Sequence, residues 1–507
     1  MAEARDGDKG PDFTKGVTLA DFDGRQMLRG HVGKSLVLLA RVVDEVLAVG
    51  ARCTHYRGAL ENGLLKGDTV RCPLHHACFS LRTGEAVNAP AFDPLSCWLV
   101  ERDGDRIFVN EKAPPAPARV VADAGQPRDI VIIGAGAAGF ACAEMLRRRG
   151  YEGALTMLSA DRDPPYDRPN LSKDYLAGKA PAEWMPLKPE AFYREKAIDL
   201  RLGVSVASID GKSRKVALDN GQVLTFDRLL IATGAQAVRP PIPGADLAHV
   251  FTLRSFADGR ALAAATEKAN SAVVLGSGFI GLETAAALRM RGLEVHLVSR
   301  DARPLEKLLG PALGDFIAGL HKDHGVNFHM QTSIRAITAD AVTLETGVKI
   351  AADLVIIGVG VRPRTELAEA ANLPVERGIL VDTRLETPVA GIYAAGDVAR
   401  WTGDTDSERM RVEHWVLAER QGQVAAENML GAHMPFRDAP FFWSAHYDTT
   451  IRYVGHAEAW DETVIDGDIA ARDASISYRR GGRTLAVATI GRDIENLEAG
   501  QRLVGVG

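Results

Sequence analysis

Two stretches of the chain read almost alike: IVIIGAGAAGFACAEMLRRRG at residues 130–150 and AVVLGSGFIGLETAAALRMRG at residues 272–292. The offset is constant, 142 residues from Ile130 to Ala272 and again from Gly134 to Gly276. In each, a short run of apolar strand formers enters Gly-x-Gly-x-x-Gly, and an alanine-rich helical pattern follows and closes on Arg-Gly. A second strand pattern comes next, ALTMLS at 154–159 and EVHLVS at 294–299. A glycine triplet between a strand and a helix is the opening of a βαβ dinucleotide fold, and here it occurs twice. Two bound dinucleotides are expected.

In the first copy Gly134 allows the tight turn, Gly136 lets a pyrophosphate approach the backbone, and Gly139 lets helix and strand pack closely. The helix start offers free N–H groups to the phosphates. Asp161, about twenty residues on, is the candidate for the ribose hydroxyls. Two further strand ends carry ligand-facing signals: Thr233-Gly234 in LLIATGA (229–235) and Gly396-Asp397 in GIYAAGDVAR (391–400). In the second copy Gly276, Gly278 and Gly281 should cradle a nicotinamide dinucleotide. Ser299 stands where an NAD site has its acid, and Arg300 follows, a pattern that points towards NADPH, or use of both nucleotides.

Outward from this core the chain changes character. Residues 13–110 read as short strands and turns, including SLVLLARVVDEVLAVG (35–50) and DRIFVN (105–110). EKAPPAPARVVADAGQP (111–127) reads as a semi-rigid linker. The tail from about 432 alternates apolar and polar residues, with Gly481-Gly482 between two runs, as in an antiparallel sheet.

The N-terminal segment contains CTHYRGALENGLLKGDTVRCPLHHACF at 53–79, with Cys53-x-His55 and Cys72-x-x-His75. Two cysteines and two histidines satisfy structural zinc or a Rieske [2Fe–2S] cluster, in which one iron takes both cysteines and the other both histidines. One Cys and one His per loop, in β-rich surroundings, favours the Rieske cluster; zinc fingers usually pair like with like.

Composition narrows the function classes. The 507 residues suffice for three or four domains, and a net charge of −6 argues against a dedicated nucleic-acid binder. The polar start MAEARDGDKGPDF lacks the apolar stretch of a signal peptide, and no run is apolar enough to span a membrane. Five cysteines, all between Cys53 and Cys142, are not a disulfide scaffold and suit a cytoplasmic setting.

Several of these segments resemble a known family. LLIATGA and GIYAAGDVAR are similar to motifs of two-dinucleotide flavoprotein reductases. YDRPNLSKDYLAG (166–178) resembles the R-P-P-L-S-K segment of ferredoxin reductases, with Asn170 in place of the second proline. CTHY and CPLHHACF resemble Rieske loops. With FFWS (441–444) and IRYVGHAE (451–458), the chain as a whole resembles Rieske-containing apoptosis-inducing-factor-like flavoproteins of the FAD/NAD(P)-dependent ferredoxin reductase family.

The resemblance implies that Asp397 binds the FAD sugar chain. It also implies that Arg168 and Lys173 lie along FAD, with Lys173 near the flavin ring, and that Glu283 pairs with Lys173 so as to position the nicotinamide over the flavin. RVEHWVLAERQGQVAAENML (411–430) would present its helix start, with His414 and Trp415, to the flavin. Gly358 and Gly360 in IIGVGVRPRTELAEAANL (356–373) would leave room for the nicotinamide, and Trp443 or Phe442 would approach the flavin. The cluster ligands would be Cys53, His55, Cys72 and His75. Gly58 and Leu74 occupy places where disulfide-bearing Rieske proteins have extra cysteines. Cys78 is thus expected free, and His76 stands where relatives have glycine. Related disulfide reductases need a redox cysteine near the flavin, and none follows Cys142.

The expected architecture is multidomain. An all-β Rieske domain spans 11–112 and a linker 113–127. An FAD-binding α/β domain takes 128–244 and 376–430, and is interrupted by an NAD(P)-binding domain at 245–375. A small α+β domain takes 431–507. The expected activity carries electrons from NADH or NADPH through FAD to the cluster, then singly through exposed His55 and His75 to an external acceptor such as an oxygenase or other redox protein. A slow redox sensor and a Rieske domain used only for docking are the alternatives. The chain is expected as monomer or homodimer, without nucleic acid or membrane span.

Overall fold

A computed structural model describes residues 10–115, 126–403 and 409–504. Residues 116–125 of the expected linker lie outside these. The chain divides into two compact units, the first built on Met1–Ala122, the second holding both glycine-triplet folds.

The N-terminal part of the first unit is built on strands; Arg148–Gly150 and Arg492–Arg502, with helix Asp493–Arg502, also belong to this unit. A six-stranded antiparallel sheet runs in the order Val17–Thr18, Arg106–Lys112, Cys97–Asp103, Glu45–Gly50, Ser35–Val42, Met27–Val32. A second sheet has four short strands, Leu64–Lys66, Thr69–Arg71, Cys78–Ser80 and Ala86–Asn88. Leu38, Val49, Leu60, Val70 and Phe79 are fully buried in the core they share. Both Cys-His loops leave from this core, so Cys53 and Cys72 are anchored in it.

In the second unit the two sequence repeats are two parallel five-stranded sheets. One is ordered Asp199–Leu202, Ala154–Ser159, Asp129–Ile133, Arg228–Ile231, Ile392–Ala394; the other Val250–Phe251, Leu354–Ile357, Ser271–Leu275, Glu294–Ser299, Val326–Met330. Their central strands are largely apolar because both faces are buried: in the second sheet Val273, Leu275 and Val355 pack with Ile334, Val342 and Ile350 on one side, and Ala272 and Val274 with Leu282 and Ala285 of helix Phe279–Met290 on the other. The repeat holds at the level of single hydrogen bonds. Gly134 N–H donates to Leu158 O and Gly276 N–H to Val298 O, each at 2.8 Å. Each sheet domain also carries a three-stranded antiparallel meander, starting at Val206 and at Ile334, for which the sequence had no marked signal.

The C-terminal sheet has five antiparallel strands, ordered Phe441–His446, Thr449–Gly455, Arg483–Ile490, Asp473–Arg480, Glu462–Asp468, and helix Asp493–Arg502 follows. Gly481 and Gly482 both have positive φ (55° and 80°), as a two-residue hairpin turn requires. Phe442, Ile451, Tyr453 and Tyr478 share one apolar core with Leu282, Ala285 and Leu313 of the second sheet domain.

Candidate functional site

The Cys-His loops of the first unit have the same backbone architecture. Cys53 N–H donates to Gly58 O (2.9 Å) and Arg57 N–H returns to Cys53 O (2.9 Å). Cys72 N–H donates to Ala77 O (2.8 Å) and His76 N–H returns to Cys72 O (3.1 Å). The fifth residue of each loop is left-handed, Arg57 at φ 56° and His76 at φ 61°. That conformation accounts for glycine being the expected residue at 76. His76 is 4 % exposed, so it is no surface residue.

The loops bring like side chains together. The His55 and His75 Nδ1 atoms are 3.2 Å apart, and the Cys53 thiol is hydrogen-bonded to Cys72, which with burial pushes its pKa up. Two nitrogens on one tetrahedral metal at the usual bond length stand roughly 3.3 Å apart. Among the described residues no three His, Cys, Asp or Glu side chains converge on a single point. A Cys pair beside a His pair fits a two-iron cluster; a lone zinc would gather all four. His75 is 8 % exposed, and only His55 is partly open, which corrects the expectation of two exposed imidazoles. Tyr56, which sequence reasoning passed over, stacks on His55 at 4.1 Å and stands edge-on to His75. A Cβ on Gly58 would sit 2.8 Å from Cys72 Sγ, so a bridging cysteine there would displace the loops. No disulfide joins any of the five cysteines, Cys78 included.

The second unit holds a cavity of about 650 Å³. Gly134, Gly136, Asp161, Arg168, Lys173, Thr233, Gly234, Asp397, His414 and Trp415 all line it; Gly139 does not. A Cβ on Gly139 would lie 1.8 Å from Gly134 O, so this residue closes helix onto strand. A Cβ on Gly136 would meet only the Arg168 guanidinium, at 3.7 Å, leaving an open cradle. Arg168 Nε and His414 Nδ1 are buried on the wall without a hydrogen-bond partner, as groups awaiting a polar ligand would be. Burial holds the His414 pKa down at about 3. His414 also caps helix Trp415–Met429, whose start therefore faces the cavity. These features fit a large polar dinucleotide.

Arg254 has no motif to announce it. Its Nη2 lies 2.6 Å from Asp397 Oδ2, so the expected sugar-binding carboxylate is already held from one side. A carboxylate keeps further acceptor capacity for a ligand. Trp443 lines the cavity with Lys173 Nζ 5.8 Å from its ring centroid, whereas Phe442, also on the wall, packs on Phe279 and Tyr453.

From the second glycine loop the cavity receives Phe279, Ile280 and Glu283. Gly276, Gly278, Gly281, Ser299, Arg300, Gly358 and Gly360 are not on its walls. They form a separate cradle: a Cβ on Gly281 would lie 2.1 Å from Gly276 O, while one on Gly278 would meet nothing within 4 Å. Gly358 supports this loop, since a Cβ there would lie 3.4 Å from Gly281 N; the open position is Gly360. The Ser299 hydroxyl is buried against Ser277 Oγ at 2.8 Å, and exposed Arg300 pairs with Glu345 at 3.1 Å. Glu283 accepts from Lys173 Nζ at 2.7 Å and from Ser172 Oγ and Ser444 Oγ at 2.6 Å each.

Comparison with known proteins places this geometry. Residues 128–422 match the family described as Pyridine nucleotide-disulphide oxidoreductase. The chain belongs to that family. Residues 17–99 match the Rieske [2Fe-2S] domain and 441–507 the Reductase C-terminal domain. Apoptosis-inducing factor 3 of Homo sapiens is 30% identical, over 93% of this chain and 81% of its own length. The anthranilate 1,2-dioxygenase system ferredoxin–NAD(+) reductase component of Burkholderia cepacia is 39% identical, over 74% of this chain and 94% of its own. Among solved structures, the covalent putidaredoxin reductase–putidaredoxin complex contains a chain that superposes with a TM-score of 0.72. It is 33% identical and covers 75% of this chain and 94% of its own.

As a member of this family the chain is an oxidoreductase that takes FAD and NAD(P), and its Rieske domain takes a [2Fe–2S] cluster. Despite the family's name, no cysteine lines the cavity, and Cys142 is buried in a helix with its thiol pKa raised by burial. No helix among the described residues is long and apolar enough to cross a membrane.

The glycines supply a test that separates binding from folding. Gly136→Ala and Gly278→Ala should leave the cofactor-free fold intact, while each weakens its own nucleotide by tenfold or more, about 1.4 kcal/mol. Gly139→Ala and Gly281→Ala should lower the melting temperature outright, because the added carbon meets backbone. Flavin absorbance, nucleotide titration and thermal melts distinguish the two classes.

Asp167, beside the Arg168–Lys173 segment, is buried, which pushes its pKa from 3.8 to about 6 against an opposing pull from Lys173. Glu419, also buried, is pushed up by burial first and by Asp167 second. A carboxylate with a raised folded pKa binds its proton more tightly folded than unfolded. Its stabilisation is present below pH 4 and lost as pH rises through 6, by on the order of 3 kcal/mol. Cofactor-free Asp167→Asn should therefore lack this component of the pH dependence; identical wild-type and variant stability profiles between pH 4 and 7 would refute the assignment.

Proposed function

We propose that the chain moves electrons from NAD(P)H to its own Rieske cluster and on to an external one-electron acceptor. The observation that carries this reading is that the cavity offers no cysteine as an internal acceptor, while the same chain holds a Cys pair and a His pair in matched loops. FAD, when bound, would supply the conversion between a two-electron hydride donor and a one-electron cluster.

The residues then have distinct tasks. Gly134, Gly136, Asp161, Arg168, Thr233, Gly234 and Asp397 hold FAD, with Gly139 keeping helix and strand in register beneath it. Gly276, Gly278, Gly281 and Gly360 hold the nicotinamide dinucleotide, with Gly358 behind them and Ser299 bracing the loop. Exposed Arg300 is free to exchange Glu345 for a 2′-phosphate, which favours NADPH. Lys173 and Glu283 fix the position of the reacting rings, where orientation lowers the barrier. The helix start at His414 and Trp415 stabilises negative charge against it. Cys53, His55, Cys72 and His75 ligate the cluster, and partly open His55 gives the route outward. The acceptor is an oxygenase component or a comparable redox protein, the class with which the Burkholderia relative is named.

Anaerobic mixing with NADPH and with NADH tests this, following flavin and cluster absorbance separately. Cluster reduction after flavin bleaching is expected, faster with NADPH. A cluster that stays oxidised through many turnovers defeats the reading.

A further inference from the structure

Glu283 is one end of a buried chain of hydrogen bonds. Its Oε1 is 2.6 Å from Ser444 Oγ; Ser444 Oγ is 3.0 Å from His446 Nε2; His446 Nδ1 is 3.1 Å from His321 Nε2. Ser444, His446 and His321 are fully buried. Ser444 and His446 are two apart on strand Phe441–His446 and so share a face. Glu283 comes from helix Phe279–Met290 and His321 from the last turn of helix Glu306–Asp323. Beyond His321 the ring of half-buried Tyr447 stands edge-on at 5.2 Å, and exposed His324 stacks on Tyr447 at 3.6 Å.

The direction of every bond follows from one fact: a carboxylate only accepts. Ser444 therefore donates to Glu283, His446 donates from Nε2 to Ser444, and His321 donates from Nε2 to His446 Nδ1. The remaining atom, His321 Nδ1, is buried without a hydrogen-bond partner among the described residues. Burial keeps both rings neutral, holding His321 at about 2 and His446 at about 3; Lys173 faces His446, His446 and His324 face His321, and Arg289 lies near Tyr447.

We propose that Glu283, Ser444, His446 and His321 form a proton relay between the cavity and the surface at Tyr447 and His324. The inference rests on the electron-transfer reading above, in which one NAD(P)H reduces two one-electron acceptors. The products are NAD(P)⁺, two reduced acceptors and one proton, so a proton must leave the buried site for every nucleotide oxidised. With Glu283 protonated, the chain points outward. Glu283 gives its proton to Ser444, Ser444 to His446 Nε2 and His446 Nδ1 to His321 Nε2, and a water admitted beside Tyr447 takes the proton from the otherwise buried His321 Nδ1. The result is the carboxylate with every donor turned towards it, which is the arrangement inferred above from the heavy-atom contacts. Rotation of the hydroxyl and exchange of ring tautomers reset the chain.

His446→Gln tests the relay. A glutamine amide can donate to Ser444 and accept from His321, preserving a structural link, yet it cannot pass a proton through. Stopped-flow oxidation of NADPH by wild-type and variant holoprotein, with ferricyanide as acceptor and a pH-indicator dye, follows electrons and protons separately. The variant is expected to bleach its flavin at the wild-type rate and release protons at least about tenfold more slowly. Proton release at the wild-type rate overturns the relay while leaving the electron-transfer reading intact. A wild-type cluster that is never reduced overturns that reading instead. Nitrogen NMR of the resting wild-type protein gives a measurement independent of turnover. Both rings should be neutral and protonated on Nε2; a proton on Nδ1 of either ring overturns the assigned direction.

Discussion

Replacing Cys72 with alanine is expected to give a yellow protein without iron. Cys72 is one of the two thiols proposed to hold the cluster, and the backbone bonds that shape its loop run through Cys72 N–H and O, which alanine retains. The N-terminal unit should therefore keep its fold while losing one of four ligands. Changes around ligands alone cost 10–100-fold in metal affinity, so loss of a ligand should exceed roughly 100-fold. Iron analysis should fall to background, and the signal of the reduced cluster should vanish. Flavin bleaching by NAD(P)H should be untouched, because the cavity lies wholly in the other compact unit. Delivery of electrons to a redox-protein acceptor should drop on the order of 100-fold or more, reflecting the missing cluster. Undiminished delivery by the iron-free variant would mean that electrons leave the flavin directly and that the Rieske domain serves another purpose.

The second large effect is expected at Glu283. This carboxylate is almost fully buried and accepts from Lys173, Ser172 and Ser444 at 2.6–2.7 Å. Glu283→Ala removes all three acceptor contacts and leaves a largely buried ammonium without its counter-charge. Breaking such a pair from one side costs roughly 3–5 kcal/mol, and the partly open Lys173 head favours the lower end. The cofactor-free variant should show this loss in urea unfolding. Hydride transfer should slow by about 10²-fold, since misplacement of reacting groups by an ångström has that effect. The double variant Lys173→Met with Glu283→Ala divides the two contributions. Removing both charges should restore much of the stability and none of the rate. A double variant that transfers hydride at the wild-type rate would show the pair to be structural only.

How much of this was legible beforehand depends on sequence distance. The glycine triplets act within one turn, so their geometry is written in adjacent residues, and both repeats fold alike to the hydrogen bond. The ligand loops are equally local: a five-residue turn carries each Cys-His set. The Lys173–Glu283 pair, 110 residues apart, was expected only through family resemblance. Arg254 on Asp397, 143 residues away, had no signal at all, because an arginine after a short strand is an ordinary surface residue until packing buries it. Ser444, His446 and His321 were hidden for the same reason. Ser444 is 161 residues from Glu283, and His446 is 125 from His321.

The amino-acid order by itself determined two dinucleotide folds and a β-rich cluster domain, and it named the four side chains proposed as cluster ligands. These are properties of short segments, where backbone preference and residue spacing act over a few bonds. The fold brings the cysteines to each other and the histidines to each other, as the Rieske reading of the sequence implied. Tertiary structure alone decided that Arg254 holds Asp397, and that a buried file of hydroxyl and imidazoles ends on Glu283. Such contacts arise when separate elements share one core and expel water, and no local pattern encodes which side chains will then lie within hydrogen-bond reach.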